Sequence, residues 1–364
     1  MVWSGALKAL SRETGVSLRD GSGNGRGITL DEVARAAGVS RATVSRVVNG
    51  KPQVRREARR AVERAVLELG YVPNAAARSL VTRRSGSIGV VITEPTGRLF
   101  EDPFFPRLLR GVGAELAARE LQLVLLMPQS PSEESRIERY VSAGHVDAVL
   151  LVSLHGNDPL PAALASRGIP VVLGGRPPRG AEVSYVDVDN VQGARSAVEH
   201  LASAGRRAIA TIGGPPDMPA GVDRLAGYRQ ALEAAGLVLD HRLEAVGDFT
   251  QEGGVAAMTR LLEARPGLDA VFAASDLMAA GAARVLRDSG RRIPDDVALV
   301  GFDDSPIATT TDPQLTSVRQ PIEEMGREMV RLLEHAQLPG SVARRVILST
   351  DLVARRSSEG GAPG

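Results

Sequence analysis

From Ile88 onward the chain alternates short, continuously apolar runs with helical stretches, and few folds accept that pattern. The runs are IGVVIT, LQLVLLM, DAVLLV, IPVVLGG and YVDVD, then AIATIGG, LEAVGDF, DAVFAAS and VALVGFDD. Helical spacing fills the intervals, at 106–119, 133–143, 161–167, 192–204, 224–235, 253–264 and 277–289. A strand that is apolar at every position is covered on both faces, as in a parallel sheet with crossover helices. So many units predict an α/β chain with two doubly wound parallel-sheet lobes. The spacing is too loose for a solenoid.

A different pattern precedes Ile88. In ITLDEVARAAGVSRATVSRVVNGKPQVRREARRAVERAVLELGYVP, Thr29 and Glu32 fit a capping box. Leu30, Val33, Ala34 and Ala37 form the apolar face of the helix it opens, and Gly38 suits the left-handed residue that closes it. Ser40 can cap a second helix, with Val44, Val47 and Val48 inward. A third runs over 56–69, with Ala58, Ala61, Val62, Ala65, Val66 and Leu69 inward, until Gly70 and Pro73 stop it. Helix, Gly-containing turn, helix and supporting helix make a helix-turn-helix head.

Charge separates the two regions. The whole chain of 364 residues carries +1, yet residues 28–84 carry about +7 and residues 1–27 about +2, leaving about −8 on the remainder. A basic head on an acidic body suits a nucleic-acid binder with a separate regulatory domain. With no cysteine, disulfides, thiolate metal sites and a cysteine nucleophile are excluded. No apolar run approaches the ~18–20 residues that span a bilayer. MVWSGALKALSRETG lacks the apolar stretch and cleavage site of a secretory signal, so a cytoplasmic protein is expected. Residues 1–27, ending in DGSGNGRG, read as a disordered extension or an over-called start. The five histidines show no metal-ligand spacing. Nucleophile-elbow, Walker and paired-carboxylate signatures are missing, so neither a cofactor nor an enzymatic reaction is expected.

At GVSRATVSRVVNG the sequence resembles the LacI/GalR (lactose-repressor) family of transcription regulators. YVPNAAARSL continues the match as that family's hinge helix. DPFFPRLLRGV, VDAVLLV, IPVVLGGR, YVDVDN, DRLAGYRQAL, AASDLMAAGA, IPDDVALVGFDD and LTSVRQP follow in the family's order. The resemblance implies a head over 28–73, a hinge and linker over 74–86, and an effector-binding, dimerising core over 87–352. A disordered tail over 353–364 follows. The core would be two periplasmic-binding-protein-like lobes joined by three crossovers, the last near 317–320.

A recognition helix presents its N-terminal residues to the major groove. Ser40, Arg41, Ala42, Thr43, Ser45, Arg46 and Asn49 are its polar or groove-facing set. The resemblance makes Arg41, Ala42 and Arg46 base readers. Arg can bond O6 and N7 of guanine, whereas Ala42 offers only a methyl group. Thr29, Ser40, Ser45 and Asn49 are better placed for phosphates. A solvated basic face is the alternative. In the hinge, Asn74, Ala77 and Leu80 would meet the minor groove. The resemblance makes Leu80 a wedge that unstacks and bends the duplex, against the plainer reading of a core contact.

Ligands bind doubly wound sheets at the carboxyl ends of the strands. Those ends carry Ser153, Arg176, Phe249, Ser275 and Asp303, with Phe100, Phe104 and Phe105 clustered after the first strand. Flat apolar rings beside charged and hydroxyl groups suit a sugar. Core packing is the alternative for Phe104 and Phe105. Arg224 matches the family's effector-clamping arginine and Asp303 a ligand-accepting aspartate, though the two could form a simple cleft salt bridge. Ser275 matches a polar ligand position, while Asp276 is expected to cap the following helix.

These readings predict a sequence-specific repressor of near-palindromic operator DNA, controlled by a small molecule, a sugar or short oligosaccharide, bound between two lobes. A corepressed regulator, tightened by a nucleobase or a partner protein, is the alternative. A sugar-binding transport protein fits less well. The terminal VARRSSEGGAPG contains no leucine heptad, so a homodimer is expected rather than a tetramer.

Overall fold

Thr29 opens the first helix in the computed structural model of the chain, which describes residues 28–72, 84–177, 182–337, 340 and 342–359. The Thr29 hydroxyl accepts from the Glu32 amide at 3.3 Å, and the Glu32 carboxylate accepts from the Thr29 amide at 2.7 Å. Helix α1 (Leu30–Ala37) ends at Gly38, whose φ of 64° is left-handed. Ser40 caps α2 (Arg41–Val48) by accepting from the Thr43 amide at 3.2 Å. Helix α3 (Arg56–Leu69) ends at Gly70, φ 65°. Val33, Val44, Val47 and Val62 are fully buried in the core these helices share. Ala58, Ala61 and Leu69, expected inward, are only half-buried.

Chain contacts divide the molecule into two compact units, Met1–Ser85 and Gly86–Gly364. The second begins with β1 (Ser87–Ile92), α4 (Thr96–Glu101), α5 (Phe104–Ala118), β2 (Gln122–Leu126), α6 (Pro131–Ser142) and β3 (Ala148–Val152). It continues with α7 (Leu160–Ser166), β4 (Val171–Gly174), β5 (Ser184–Val188), α8 (Asn190–Ser203), β6 (Ile209–Gly213) and α9 (Pro219–Ala234). Then come β7 (Glu244–Val246), α10 (Gln251–Ala264), β8 (Ala270–Ala273), α11 (Asp276–Asp288), β9 (Ala298–Asp303) and α12 (Pro306–Thr310). The last elements are β10 (Thr316–Arg319), α13 (Ile322–Ala336), β11 (Arg345–Leu348) and β12 (Asp351–Val353).

Two six-stranded sheets result, in the orders β11-β5-β4-β3-β1-β2 and β12-β10-β9-β8-β6-β7. The first sheet is parallel throughout. In the second, β12 alone runs antiparallel, against β10. Both faces of each sheet are covered. Ile88, Val90 and Ile92 of β1 join one core cluster with α5 and α13, while Val91 joins another with α6 and α7. The second sheet divides likewise, with Val271 and Ala273 on one side and Ala270 and Phe272 on the other. A strand's two-residue period meeting two buried faces is the reason the central runs are apolar at nearly every position.

The chain passes between the lobes three times: from β5 to α8, from β10 to α13 and from β11 to β12. The expected last crossover, near 317–320, is therefore the second of three. After it, β11 returns to the first lobe beside β5, and β12 closes the second lobe beside β10. Backbone pairing seats these short edge strands, with Val346 and Leu348 packed against the first-lobe core and Leu352 against the second.

Helices α5 and α13 cross at reciprocal glycines. A β-carbon on Gly111 would overlap the carbonyl oxygen of Glu323, and one on Gly326 that of Leu108. Gly113, on the same helix, has open space around it. Gly111→Ala is therefore expected to destabilise the body by about 1–3 kcal/mol through overpacking. Gly113→Ala should be neutral or stabilise by up to about 1 kcal/mol through helix propensity. Urea unfolding of the two variants gives the comparison, and equal midpoints would reject the tight crossing.

Candidate functional site

The carboxyl ends of both sheets face one cleft, whose empty space of about 800 Å³ includes its opening to solvent. All eight residues expected at an effector site line it: Phe104, Phe105, Ser153, Arg176, Arg224, Phe249, Ser275 and Asp303. Each sheet changes direction of winding where the cavity sits, between β1 and β3 and between β6 and β8. At such switch points the loops part and leave a crevice.

Arg224 lies at the bottom, 5% exposed. Its Nε donates to Asn190 Oδ1 at 2.9 Å and its NH1 to the Ala274 carbonyl at 2.5 Å. NH1 also lies 3.6 Å from the Asp303 carboxylate, so the cleft salt bridge and the cavity lining are both present. The guanidinium carbon sits 3.7 Å from the centre of the Phe302 ring and 5.7 Å from that of Phe249. Burial lowers the Arg224 pKa and nearby carboxylates, Asp303 first, oppose this.

Several expectations need adjusting. Ser275, not Asp276, caps α11, accepting from the Met278 amide at 3.2 Å. Asp276 is wholly buried and accepts from the Ser305 amide and the Ser317 hydroxyl. A carboxylate one residue inside the helix serves the neighbouring loop better than its own helix end. Phe105 is 1% exposed and belongs to the first-lobe core as well as the cavity wall, while Phe100 is 66% exposed and does not line the cavity. Arg176 spends its guanidinium on Asp223 of the other lobe, at 2.6 Å. Ser153, Phe249 and Asp303 adopt positive φ values of 61°, 66° and 109°. Such backbones cost about 1–3 kcal/mol each in a non-glycine residue and concentrate where ligands are clamped.

Arg98, Asp102, Asp187, Asn190, Met218, Gln320 and Met325 also line the cavity and were not anticipated. Asn190 and Asp187 sit in YVDVDN: Asp187 lies within β5, and Asn190 follows it, where a short polar residue reads as a helix cap. Burial raises the pKa values of Asp102 and Asp187. On the rim, His155 of the first lobe lies between Glu94 at 3.1 Å and Asp217 of the second lobe at 3.0 Å. The hydrogen bond to Glu94 raises its pKa most, burial opposes, and the bond to Asp217 adds to the rise.

In the separate head unit, Ser40, Arg41, Ala42, Arg46 and Asn49 are exposed on or beside α2, and Thr43 and Ser45 are half-buried. Arg41 lies 3.7 Å from Asp31 and keeps 67% of its side chain exposed. Thr29 donates its hydroxyl to Glu32 at 2.8 Å, and Asn49 donates to the Ser45 carbonyl at 2.8 Å. Asn74, Ala77 and Leu80 lie outside the described residues.

Comparison with known proteins agrees with both halves. Residues 29–74 match the model of bacterial regulatory proteins of the lacI family, and residues 198–358 that of a periplasmic binding protein-like domain. The HTH-type transcriptional regulator CelR of Thermobifida fusca is 53% identical over 90% of this chain and 98% of its own. The chain belongs to the LacI family. It is a DNA-binding transcriptional repressor and not an enzyme. A solved CelR–cellobiose complex is 50% identical, covers 91% of this chain and 99% of that one, and superposes with a TM-score of 0.73. The lac repressor dimer bound to operator and an anti-inducer is 26% identical, covers 92% and 100%, and has a TM-score of 0.82. Among the described residues of this LacI-family repressor, no helix is long and apolar enough to cross a membrane.

The cleft of this LacI-family chain should respond to pH. Burial raises the Asp303 carboxyl from 3.8 to about 7, against the lowering pull of Arg224. Between those values the folded protein holds a proton that the unfolded chain has lost, so stability falls as pH rises from about 4 to about 7. Asp276, raised by burial, and His155, raised by its carboxylate partners, act in the same direction, and His200, lowered by burial, opposes them in part. Urea midpoints of the unliganded protein should be lower at pH 8 than at pH 5, and Asp303→Asn should narrow the difference. An unchanged difference in the variant would remove Asp303 from this account.

Proposed function

We propose that the cavity binds a short gluco-oligosaccharide of the cellobiose class, and that this ligand releases the repressor from its operator. The carrying observation is the likeness to the cellobiose-bound CelR, 50% identical over 91% of this chain. The chemistry of the cavity supports it. Phe104 and Phe249 offer apolar rings to sugar faces, with Phe105 packed behind them, and Arg224, Asp303, Asn190 and Gln320 offer polar groups to the hydroxyl rim. In the head, Arg41, Ala42 and Arg46 would read base edges, Thr29, Ser40, Ser45 and Asn49 would hold phosphates, and Thr43 belongs to the groove-facing set. Residues 74–86 would form the hinge, with Asn74, Ala77 and Leu80 at the minor groove. A homodimer in the cytoplasm, placing two heads on a near-palindromic operator, completes the reading.

The effector acts only through different affinities for the operator-competent and operator-released states. The coupling is reciprocal, so operator must weaken cellobiose binding by the factor by which cellobiose weakens operator binding, typically about 5–150-fold. Calorimetry with cellobiose, cellotriose, glucose, maltose and hypoxanthine, with and without operator duplex, tests both statements. Tight binding of hypoxanthine with no uptake of any sugar would overturn the proposal.

A further inference from the structure

Three arginines line the cavity, and their donors are committed differently: Arg176 pairs with Asp223, and Arg98 and Arg224 reach inward. Arg224 of the second lobe has Nε committed to Asn190 and NH1 committed to the Ala274 carbonyl and Asp303. Arg98, on the short helix α4 of the first lobe, is held differently. Its NH1 donates to Glu94 at 2.7 Å, and Glu94 is itself 3% exposed. Its Nε is buried, lies 4.0 Å from the Asp102 carboxylate, and has no hydrogen-bond partner among the described residues. No described residue accepts from its NH2. Leu99, 1% exposed, pins α4 to the first-lobe core. The Arg98 guanidinium carbon lies 5.3 Å from the centre of the Phe249 ring, which belongs to the other lobe.

A buried N–H without an acceptor costs about 1–3 kcal/mol, so an acceptor that arrives with the ligand recovers that cost. Ligand hydroxyl oxygens supply such an acceptor, and Arg98 can present two adjacent donors to them. Glu94 and Asp102 balance the charge of Arg98, while Asp187 and Asp303 add carboxylates to the same cavity. The surroundings therefore favour a neutral hydroxylated ligand over a phosphorylated one. We propose that Arg98 is a specificity-determining residue of the effector site, donating from the first lobe to a hydroxyl of the bound sugar, while Arg224 organises the second-lobe wall. This rests on the cellobiose-class reading above. A site built to bond a hydroxyl rejects the analogue that lacks it far better than an apolar wall can.

Calorimetry on the full-length chain tests the assignment, with cellobiose, its monodeoxy analogues and glucose 6-phosphate as probes. One deoxy analogue should bind the wild type about 10–100-fold more weakly than cellobiose, the range expected of a charge-assisted hydrogen bond. Arg98→Met should weaken cellobiose by a similar factor and abolish the penalty for that one analogue. Arg98→Lys retains a cation beside Glu94 and Asp102 without the planar fork, so it provides a folded variant that should still lose about 10-fold. Glucose 6-phosphate should not bind measurably. A purely structural Arg98 would weaken all analogues in parallel. Penalties that keep their wild-type pattern in both variants overturn the inference and leave the cellobiose reading standing. A wild type that takes up no cello-oligosaccharide overturns both.

Discussion

Arg224→Ala is expected to yield a repressor that still holds operator but no longer releases it when effector is added. The guanidinium is buried against Phe302 and joins Asn190, the Ala274 carbonyl and Asp303 into one wall. Truncation leaves two acceptors without a donor, at about 1–3 kcal/mol each, while the Asp303 carboxyl, losing the group that lowers its pKa, takes up a proton. The loss falls on the body, whereas the head has its own core around Val44, Val47 and Val62. Saturating effector at 100 times its Kd should stabilise the wild type by about 2.7 kcal/mol, and that shift should vanish in the variant. Operator affinity without effector should stay within a few-fold of wild type, measured by fluorescence anisotropy below the variant's unfolding range. A full effector response in Arg224→Ala would remove this wall from the effector site.

Arg41→Ala should weaken operator binding by about 1–3 kcal/mol, or roughly 5–150-fold, and relax preference at one base pair per half-site. Arg41 is the first residue of α2, the position from which a recognition helix reaches base edges. Its ion pair with Asp31 is long and exposed, so little is lost within the protein when it is removed. The guanidinium fork matches guanine O6 and N7, and an alanine offers no donor in its place. Binding to operator variants with each base changed in turn, at several salt concentrations, provides the readout. Uniform weakening on all sequences, with the salt slope reduced by about one, would move Arg41 to the phosphate-contacting group.

Much of this was legible in the residues because it was local. The head's ends follow from Thr29, Glu32, Gly38, Ser40 and Gly70, each satisfying a backbone requirement within four residues of itself. The strands were legible because burial on both faces leaves uninterrupted apolar runs. Once the strands were placed, their carboxyl ends named Ser153, Arg176, Phe249, Ser275 and Asp303, and all five line the cavity. Arg98 and Asp102 escaped notice because TGRLFED is too short to show helical periodicity and reads as a loop. Asp187 escaped because it sits inside the strand run YVDVD, and Asn190 and Gln320 because a polar residue after a strand looks the same whether it caps a helix or faces a ligand.

The sequence by itself determined the order of strands β1–β9 and most of the helices between them, the caps that bound the head, and the polarity that puts chemistry at one end of each sheet. These follow from side-chain periodicity and from backbone needs met by near neighbours, whereas β10–β12 and α13 emerged only in the structure. The tertiary structure decided the rest. It seated β11 and β12 in opposite lobes, where each pairs with a strand far away in sequence and packs on that lobe's core. It brought residues as distant as Asp102, Arg224 and Asp303 to one cavity. It also decided which arginine donors are consumed by the protein, since that depends on carbonyls and carboxylates contributed from other strands. A sequence states that a guanidinium is present, and only packing states which of its five N–H groups remain open to a ligand.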